Sequence, residues 1–330
     1  MTRASRQSSL RRWTARHAVP VLVALAVGAG IGALIGRSMD APPTAVPPPV
    51  SKAPDSKAPD SVKPPAAKAP AVEPRFGEAT PKPATPRQES AWKRHAMPDP
   101  ATGARPMIAV VIDDLGMDRV RSARAADLRA PLTLSWLAYA PDLPAQTAHA
   151  HAAGHELLVH LPMQPLSADA DPGPRTLTTE ADAATNLRNL QWALGRFEGY
   201  VGVNNHMGSR FTADGTALRP ILAEVGRRGL LFLDSRTTAE SVVIPLARGL
   251  GLPHAGRDVF LDDDGAPDAI RARLAETEAI ARRNGYVVAI GHPRDATLAA
   301  LAAWLPEVER RGFVLVPLSA VVRRNGGVGG

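Results

Sequence analysis

The sequence predicts an α/β fold, a barrel of seven or eight β/α units that spans residues 105–324. Short apolar runs alternate with amphipathic stretches of helical periodicity, and strands that are separated by helices pair in parallel through crossover connections. Gly229, Gly285 and Gly312 each stand between a helical stretch and a strand, where a left-handed helix cap is needed. This many units in about 220 residues favours a barrel over the alternative, a doubly wound open sheet.

The apolar runs and helical patterns define the predicted elements. The predicted strands are Met107–Ile112, Leu132–Leu137, Glu156–Leu161, Tyr200–Asn204, Leu230–Leu233, Pro253–Ala255, Tyr286–Ile290 and Phe313–Val316. The predicted helices are Thr178–Arg196, Gly215–Arg228, Pro267–Arg283 and Asp295–Arg311. Chemistry in parallel β/α folds lies at the C-terminal ends of the strands, so the residues that follow each strand are the candidate site.

Charge and composition divide the chain near residue 104. Residues 1–104 carry 15 Lys or Arg against 7 Asp or Glu, whereas the remainder carries 24 Arg against 25 acidic residues, so the basic character belongs to the N-terminal part. The predicted barrel has no basic excess, which argues against a nucleic-acid partner. The chain has no cysteine, so any metal must be bound by His, Asp or Glu.

The N-terminal region has the pattern of an uncleaved membrane anchor. Residues 1–17 are basic, and residues 18–36 form an uncharged apolar run long enough to span a bilayer. The positive charges hold the N-terminus in the cytoplasm. This predicts a single-pass inner-membrane protein with the lipid bilayer as a partner and a periplasmic C-terminal domain. A cleaved signal peptide is the alternative. Gly28, Gly32 and Gly36 are spaced so that two membrane helices can approach, so a homodimer through this face is a further expectation.

The segments on either side of the predicted barrel differ from it in composition. Residues 37–104 hold half of the prolines, 16 of 32, and are also rich in Ala and Lys. Proline removes amide donors, and so little apolar material cannot offset chain entropy, so this segment is predicted to be a disordered, extended linker. Residues 325–330 are predicted to be a flexible tail.

Polar and ionisable side chains follow five of the predicted strands. They are Asp113 and Asp114, His160, Asn205 and His206, Asp234 and Arg236, and His292. Because the C-terminal ends of parallel strands meet at one rim, these side chains are expected to lie together. Adjacent carboxylates at the end of strand one could divide metal binding and proton transfer between them. The alternative is a pair of helix N-caps.

Neutral imidazoles from two strands, together with one carboxylate, form a three-ligand metal site that leaves one position open for water. His160 and His206 end separate strands and fit that pattern. His292 ends a later strand, and Pro293 behind it fixes the local turn, so a catalytic role is predicted for it.

Other candidates are weaker. Asp234 and Arg236 are predicted to pair across the rim or to orient a catalytic group, with a structural salt bridge as the alternative. Asn205 and Arg210, which flank His206, and Gln164 are candidate substrate-binding or supporting groups. The run Asp262, Asp263 and Asp264 lacks the spaced ligands of an EF-hand and is interpreted as a solvated turn. Four histidines are interpreted as surface residues, namely His149, His151, His155 and His254.

Four segments form a set of motifs, namely Val111–Gly116, Gly154–His160, Asn204–Arg210 and Ile290–Pro293. In this order they resemble the divergent polysaccharide deacetylase family, a branch of the glycoside hydrolase/deacetylase barrel superfamily. The resemblance covers roughly residues 107–322.

The resemblance implies a metal site with one departure. Asp114 matches the family's aspartate ligand, and His160 matches the first histidine of its metal motif. The second histidine of ordinary polysaccharide deacetylases falls four residues later, where Gln164 stands. The histidine of the divergent branch matches His206, which could replace the missing ligand.

The resemblance also implies an activity, the hydrolysis of an N-acetyl or O-acetyl group on an envelope polysaccharide. Asp113 matches the family's general base and His292 its general acid, and a divalent cation, Zn²⁺ in our hypothesis, polarises the acetyl carbonyl. The alternative is a non-catalytic glycan-binding or envelope-organising protein on a deacetylase scaffold, which Gln164 and the long linker also fit. A hydrolase for another substrate is a third, since a fold does not fix a function.

Overall fold

The computed structural model describes residues 89–326. The predicted basic N-terminus, the membrane anchor with its three glycines, most of the predicted linker and the last four residues lie outside the described residues. Within 89–326, no helix combines the length and the hydropathy needed to cross a bilayer.

The described part of the chain contains nine strands in one parallel sheet. They are β1 (Met107–Leu115), β2 (Thr133–Leu137), β3 (Glu156–Met163), β4 (Gly202–Met207), β5 (Leu231–Asp234), β6 (His254–Gly256), β7 (Val259–Phe260), β8 (Tyr286–Gly291) and β9 (Val314–Leu315). The strand order is β6-β5-β4-β3-β2-β1-β8-β7, and β9 pairs with the start of β1. The predicted parallel α/β class is confirmed.

The sheet is a β/α half-barrel, an incomplete form of the β/α barrel that the sequence predicts. β6 and β7 follow each other in the chain, but no ladder joins them among residues 89–326. Between them the Arg257 amide donates to Asp234 O (2.9 Å), and the Asp258 amide donates to Val288 O (2.8 Å). The backbone therefore changes its partner from β5 to β8 within two residues, and strands this short cannot continue the ring.

Helices connect the strands. Those in the described range are α1 (Ala91–Arg94), α2 (Arg119–Ala126), α3 (Leu143–Ala152), α4 (Ala183–Leu194), α5 (Gly215–Arg227), α6 (Val243–Gly249), α7 (Pro267–Asn284), α8 (Asp295–Arg310) and α9 (Leu318–Arg324). The four predicted helices correspond to α4, α5, α7 and α8. The start of α4 is later than predicted because the Asp182 side chain accepts from the Thr185 amide (2.7 Å) and caps the helix there.

Alternation along β1 separates two hydrophobic clusters. Ile108, Val110 and Ile112 pack in the cluster that contains the long helices, whereas Ala109 and Val111 pack in a second cluster with apolar residues of α9. Side chains of a strand alternate between its faces, so the next residue in the second series, Asp113, lies on the inner face of the half-barrel.

The C-terminal end of the predicted linker contains the short helix α1, which packs on the second hydrophobic cluster. Trp92 of α1 is 3% exposed and belongs to the second hydrophobic cluster. Its amide donates to Gly229 O (2.9 Å), and the guanidinium of Arg323 lies 6.0 Å from its ring. A single large aromatic side chain gives this Pro-rich and Ala-rich segment enough apolar area to dock.

His155 is buried, so its interpretation as a surface residue is wrong. It is fully inaccessible at the start of β3, where Nδ1 accepts from the Leu132 amide (3.3 Å) and Nε2 lies 3.0 Å from Ala126 O. These partners require a proton on Nε2 and a lone pair on Nδ1, which is the neutral imidazole. Burial lowers the pKa of His155 and favours the same state.

Glu156 is a buried carboxyl at the opposite end of the sheet from the strand-end residues. Its Oε1 accepts from the Ser319 amide (3.0 Å) and from Thr133 Oγ1 (3.3 Å), while Oε2 has no hydrogen-bond partner. Ser319 lies in the first turn of α9, so the carboxyl caps that helix. Burial raises the pKa of Glu156 and outweighs these hydrogen bonds.

Glu156→Gln is expected to become more stable relative to the wild type as the pH rises from the unfolded-state pKa of glutamate, about 4.3, through the raised folded-state pKa. A carboxyl with a raised folded-state pKa stabilises the fold fully below its unfolded pKa, and that contribution is lost as the pH rises through the folded pKa. The neutral amide does not titrate, so the free energy of unfolding of the variant rises relative to that of the wild type by at most about 1.4 kcal/mol per pH unit. Urea unfolding at several pH values measures this difference. A difference that does not change with pH contradicts the assignment.

Candidate functional site

Both carboxylates at the end of β1 reach the same cleft because the strand is irregular there. The register with β2 shifts between Ile112 and Leu115, and Asp114 adopts a left-handed conformation with φ of 58°. Such a conformation is strained for a residue with a side chain, by about 1–3 kcal/mol, and tends to occur at functional sites. Asp113 is 3% exposed, and the side chain of Asp114 is 34% exposed.

Asp114, His160 and His206 form a compact cluster at the ends of β1, β3 and β4. His160 Nε2 lies 3.1 Å from Asp114 Oδ1, and His206 Nδ1 lies 2.8 Å from the same oxygen. One ligand atom from each residue lies within 4.8 Å of the other two. The structure therefore brings together the three residues that the sequence predicts as metal ligands.

The donor set fits a divalent cation. Asp114 Oδ1 is buried and forms no hydrogen bond of acceptable geometry, although both ring nitrogens are within reach. An orphaned buried oxygen facing two imidazole nitrogens is satisfied by a cation that all three share, and two His with one carboxylate is a common ligand set for catalytic zinc. A metal site at these residues is consistent with the geometry.

The electrostatics of the cluster without a cation show how strongly the groups interact. Burial alone would raise the pKa of Asp114, but the adjacent imidazoles of His160 and His206 hold it well below its usual range. Burial alone would lower the pKa of His160, but the negative charges of Asp113 and Asp114 outweigh burial and raise it to about 9. A proton and a metal ion therefore compete for His160.

Asn204 fixes which nitrogen of His160 faces the cluster. Its Nδ2 donates to Asp113 Oδ1 (2.8 Å) and to Ser235 Oγ (3.1 Å), so its Oδ1 must point the other way, towards His160 Nδ1 (2.9 Å). An amide oxygen only accepts, which places the proton of the neutral imidazole on Nδ1. Nε2 is left with a lone pair directed at Asp114, as metal coordination requires.

Asp113 lies beside the cluster but outside it. Its Oδ2 is 3.8 Å from His160 Nε2, and its Oδ1 accepts from Asn204. Burial raises the pKa of Asp113, and the charges of His160 and His292 only partly offset this effect. A carboxyl with a raised pKa in a cleft is suited to accepting and holding a proton.

His292 faces the cluster from the end of β8 and is held there by Asp262. His292 Nδ1 lies 2.9 Å from Asp262 Oδ1, and the His292 amide donates to Asp262 Oδ2 (2.8 Å), which also accepts from Thr297 Oγ1 (2.8 Å). The carboxylate fixes the proton on Nδ1 and leaves Nε2 in the cleft, 3.7 Å from Asp114 Oδ2. Burial lowers the pKa of His292, but the Asp262 hydrogen bond and the negative charges of Asp262, Asp114 and Asp113 together outweigh burial and raise that pKa.

Asp262 is therefore not part of a solvated turn, which corrects the sequence interpretation. It is fully buried, whereas Asp263 and Asp264 are exposed. The burial of Asp262 follows from the apolar residues before it, Val259 to Leu261, which carry the chain along β8 as far as the rim formed by the strand ends.

A cleft of about 640 Å³ opens over the cluster. Its walls include Asp113, Asp114, His160, Asn205, His206, Ser235, Arg236, Arg257, Phe260, Arg273, Glu276 and His292. A volume in this range is typical of small-molecule sites.

Gln164 and Arg210, which the sequence offers as substrate-binding or supporting groups, hold a loop and do not line this cleft. Gln164 Oε1 accepts from the Thr179 amide (2.8 Å), and its Nε2 donates to Glu180 Oε2 (2.8 Å). Arg210 pairs with Glu180 Oε1 at 3.2 Å, and both side chains are exposed. Gln164 is therefore not oriented towards the metal cluster.

Asp234 and Asn205 support the rim from beneath. Asp234 is buried and accepts from the Arg236 amide (2.9 Å) and from Ser241 Oγ (2.9 Å). The predicted side-chain pair of Asp234 with Arg236 is wrong for the described chain, because the carboxylate caps the backbone of the loop instead. Asn205 Oδ1 accepts from the Ser235 amide (2.9 Å) and joins the same loop to β4.

The sequence reasoning missed Asn204 and Asp262 as supporting residues. Asn204 precedes His206 by two residues and pairs in register with His160, so the period of two along β4 places it on the same face. Asp262 follows a short apolar run as Asp113 does, and this resemblance to a strand end is the signal that could have identified it.

The fold and the donor set define a deacetylase-like β/α half-barrel with a candidate His/Asp metal site. Residues 110–322 match the family model described as divergent polysaccharide deacetylase. The chain belongs to the divergent polysaccharide deacetylase family, as its motifs predict.

Three bacterial proteins are similar to this chain in sequence, and the structure of one of them has been solved. The chain is 34% identical over 194 residues to the uncharacterized protein YibQ of Escherichia coli, and the match spans 59% of this chain and 60% of that protein. An uncharacterized protein of Haemophilus influenzae is 32% identical over 203 residues, 61% of this chain and 72% of the relative. The crystal structure of the uncharacterized protein ATU2773 from Agrobacterium tumefaciens superposes with a TM-score of 0.68 at 33% identity, over 70% of this chain and 95% of that one.

Proposed function

We propose that this protein is a metal-dependent deacetylase that removes acetyl groups from an envelope glycan. The observation that supports the proposal best is the convergence of Asp114, His160 and His206 within 4.8 Å of one another, in a cleft that Asp113 and His292 flank. Membership of a deacetylase family supports the same reaction class.

Asp114, His160 and His206 would hold the cation, which we propose is Zn²⁺. When bound, a divalent cation supplies Lewis-acid polarisation of the acetyl carbonyl. Asp113 acts as the general base that takes a proton from the attacking water, because its carboxylate is buried beside the cluster and is positioned by Asn204. His292 acts as the general acid, since Asp262 holds its Nδ1 and directs Nε2 into the cleft, where it protonates the departing amine or alkoxide.

The location of the reaction follows from the N-terminal sequence. Residues 1–17 and 18–36 have the charge and hydropathy of a cytoplasmic segment and a membrane anchor. We therefore propose that the catalytic domain lies in the periplasm, where envelope glycans are its substrates and the inner membrane retains the chain.

The proposal is tested on the full chain by metal analysis together with acetate release. The expected result is one Zn²⁺ per chain, and acetate released from at least one member of a panel of acetylated envelope and chitin-type oligosaccharides. A strong chelator should stop release, and added Zn²⁺ should restore it. If the chain binds glycan but binds no metal and releases no acetate, the non-catalytic alternative is supported and the proposal is overturned.

A further inference from the structure

Two arginines form one wall of the cleft without taking part in the chemistry proposed above. Arg236 follows β5, and Arg257 lies between β6 and β7. Arg257 is firmly placed, because its Nε donates to Ser235 O (2.6 Å), its Nη2 donates to Arg236 O (2.6 Å) and its guanidinium lies 4.8 Å from the centre of the Phe260 ring. Its position is fixed by the backbone of the rim.

The side chain of Arg236 lies against the backbone of Gly256 at the end of β6. A Cβ at residue 256 would lie 2.8 Å from Arg236 Nε and 3.0 Å from Nη2, closer than real contacts allow. The absence of a side chain at Gly256 therefore provides the space that Arg236 occupies beside Arg257.

Neither guanidinium forms an ion pair with a carboxylate anywhere in residues 89–326. Arg273, in the same cleft, is paired with Glu276 at 2.7 Å. Asp258 lies on the same wall, but its Oδ2 accepts from the Val288 amide (2.8 Å). Burial first, and the charge of Arg236 second, lower the pKa of Arg257, and the charges of Asp234, Asp113 and Asp263 only partly offset them.

Two adjacent cations that form no direct ion pair can bind an anion, because a bound oxyanion relieves their repulsion and accepts several N–H donors in a fixed geometry. We infer that Arg236 and Arg257 form an anion subsite in the cleft, which binds a carboxylate carried by a sugar of the glycan. This inference rests on the proposed function only in taking a glycan as the ligand. It assigns the substrate class as acidic and not neutral oligosaccharides.

The test compares two ligands of equal length that differ in charge. Binding of oligogalacturonate and of a neutral oligosaccharide, chitin-type or xylan-type, to the full chain is measured by calorimetry, with and without Zn²⁺. The expected result is at least 10-fold tighter binding of the acidic ligand, falling as the salt concentration rises. Because neither ligand must be hydrolysed, this result is independent of acetate release.

Two variants test whether the preference for the acidic ligand depends on Arg236. Arg236→Gln is expected to reduce the affinity for the acidic ligand by about 10-fold or more, since a hydrogen bond to a charged group contributes about 1.5–3 kcal/mol, and to leave the neutral ligand unaffected. Gly256→Ala keeps both charges but displaces the Arg236 side chain, so it should also reduce the affinity for the acidic ligand. The matched control Arg219→Gln removes an exposed cation of α5 and should change neither affinity.

Equal affinity for the two ligands, or no binding of the acidic one, overturns the inference. So does a preference for the acidic ligand that survives Arg236→Gln. If the wild-type chain prefers the acidic ligand but releases no acetate, the proposed function is overturned and the anion subsite is not.

Discussion

Asp114→Asn is expected to abolish high-affinity metal binding and, with it, acetate release. Asp114 is the one anionic member of the cluster, and its Oδ1 faces both imidazoles, at 3.1 and 2.8 Å. Substitutions of groups that merely support a metal ligand typically weaken metal binding about 10-fold to 100-fold, so the loss of a charged ligand should exceed about 100-fold. Competition with a fluorescent zinc chelator measures the change directly.

The matched control for this experiment is Asp263→Asn. Asp263 lines the same cleft and is also an acidic residue, but it lies outside the cluster and is exposed. It should retain wild-type metal affinity. A second readout is thermal, because a metal that binds only the folded state stabilises it by about 2.7 kcal/mol at 100 times its Kd. Zn²⁺ should raise the Tm of the wild type and of Asp263→Asn and leave that of Asp114→Asn unchanged. Wild-type affinity in Asp114→Asn would refute the assignment of the ligand.

The parallel fold was predictable because its signals are local. Each βα unit carries an apolar run and an amphipathic helix, and the chain direction alone brings the strand ends to one rim. The same logic brought Asp113, Asp114, His160, His206 and His292 into one cleft, since their placement depends only on strand ends.

The features that the sequence did not predict depend on contacts between distant segments. The half-barrel opens at β6 and β7, because Arg257 and Asp258 bond to strands on opposite sides, and no local pattern encodes that change of partner. His155 is buried by the connection between α2 and β2, and Trp92 docks beside Arg323, more than 200 residues later in the chain. Hydrophobic periodicity carries no information about either contact.

His292→Gln is expected to lower kcat by about 10²–10⁴-fold, the usual contribution of a proton-transferring group, while metal binding is retained. Its Nε2 is 3.7 Å from Asp114 Oδ2, so it faces the cluster without completing it. Acetate release from a glycan substrate, measured alongside zinc content, separates the two effects. A wild-type kcat would show that His292 is not the general acid, and loss of zinc would make it a ligand.

The role of Asp262 is distinguished from a purely structural one by a double-mutant cycle with His292. Asp262 touches the reaction only through His292, by holding Nδ1 at 2.9 Å and the backbone amide at 2.8 Å, so Asp262→Asn should lower kcat with little change in KM. If Asp262 acts by positioning the imidazole, the double variant Asp262→Asn/His292→Gln should be no slower than His292→Gln alone, because residues that act as a unit are not additive. If the reductions in kcat of the two single variants multiply in the double variant, Asp262 acts independently of His292, through the stability of the rim that it shares with Thr297. The unfolding free energies of the same variants then decide whether the rim is weakened.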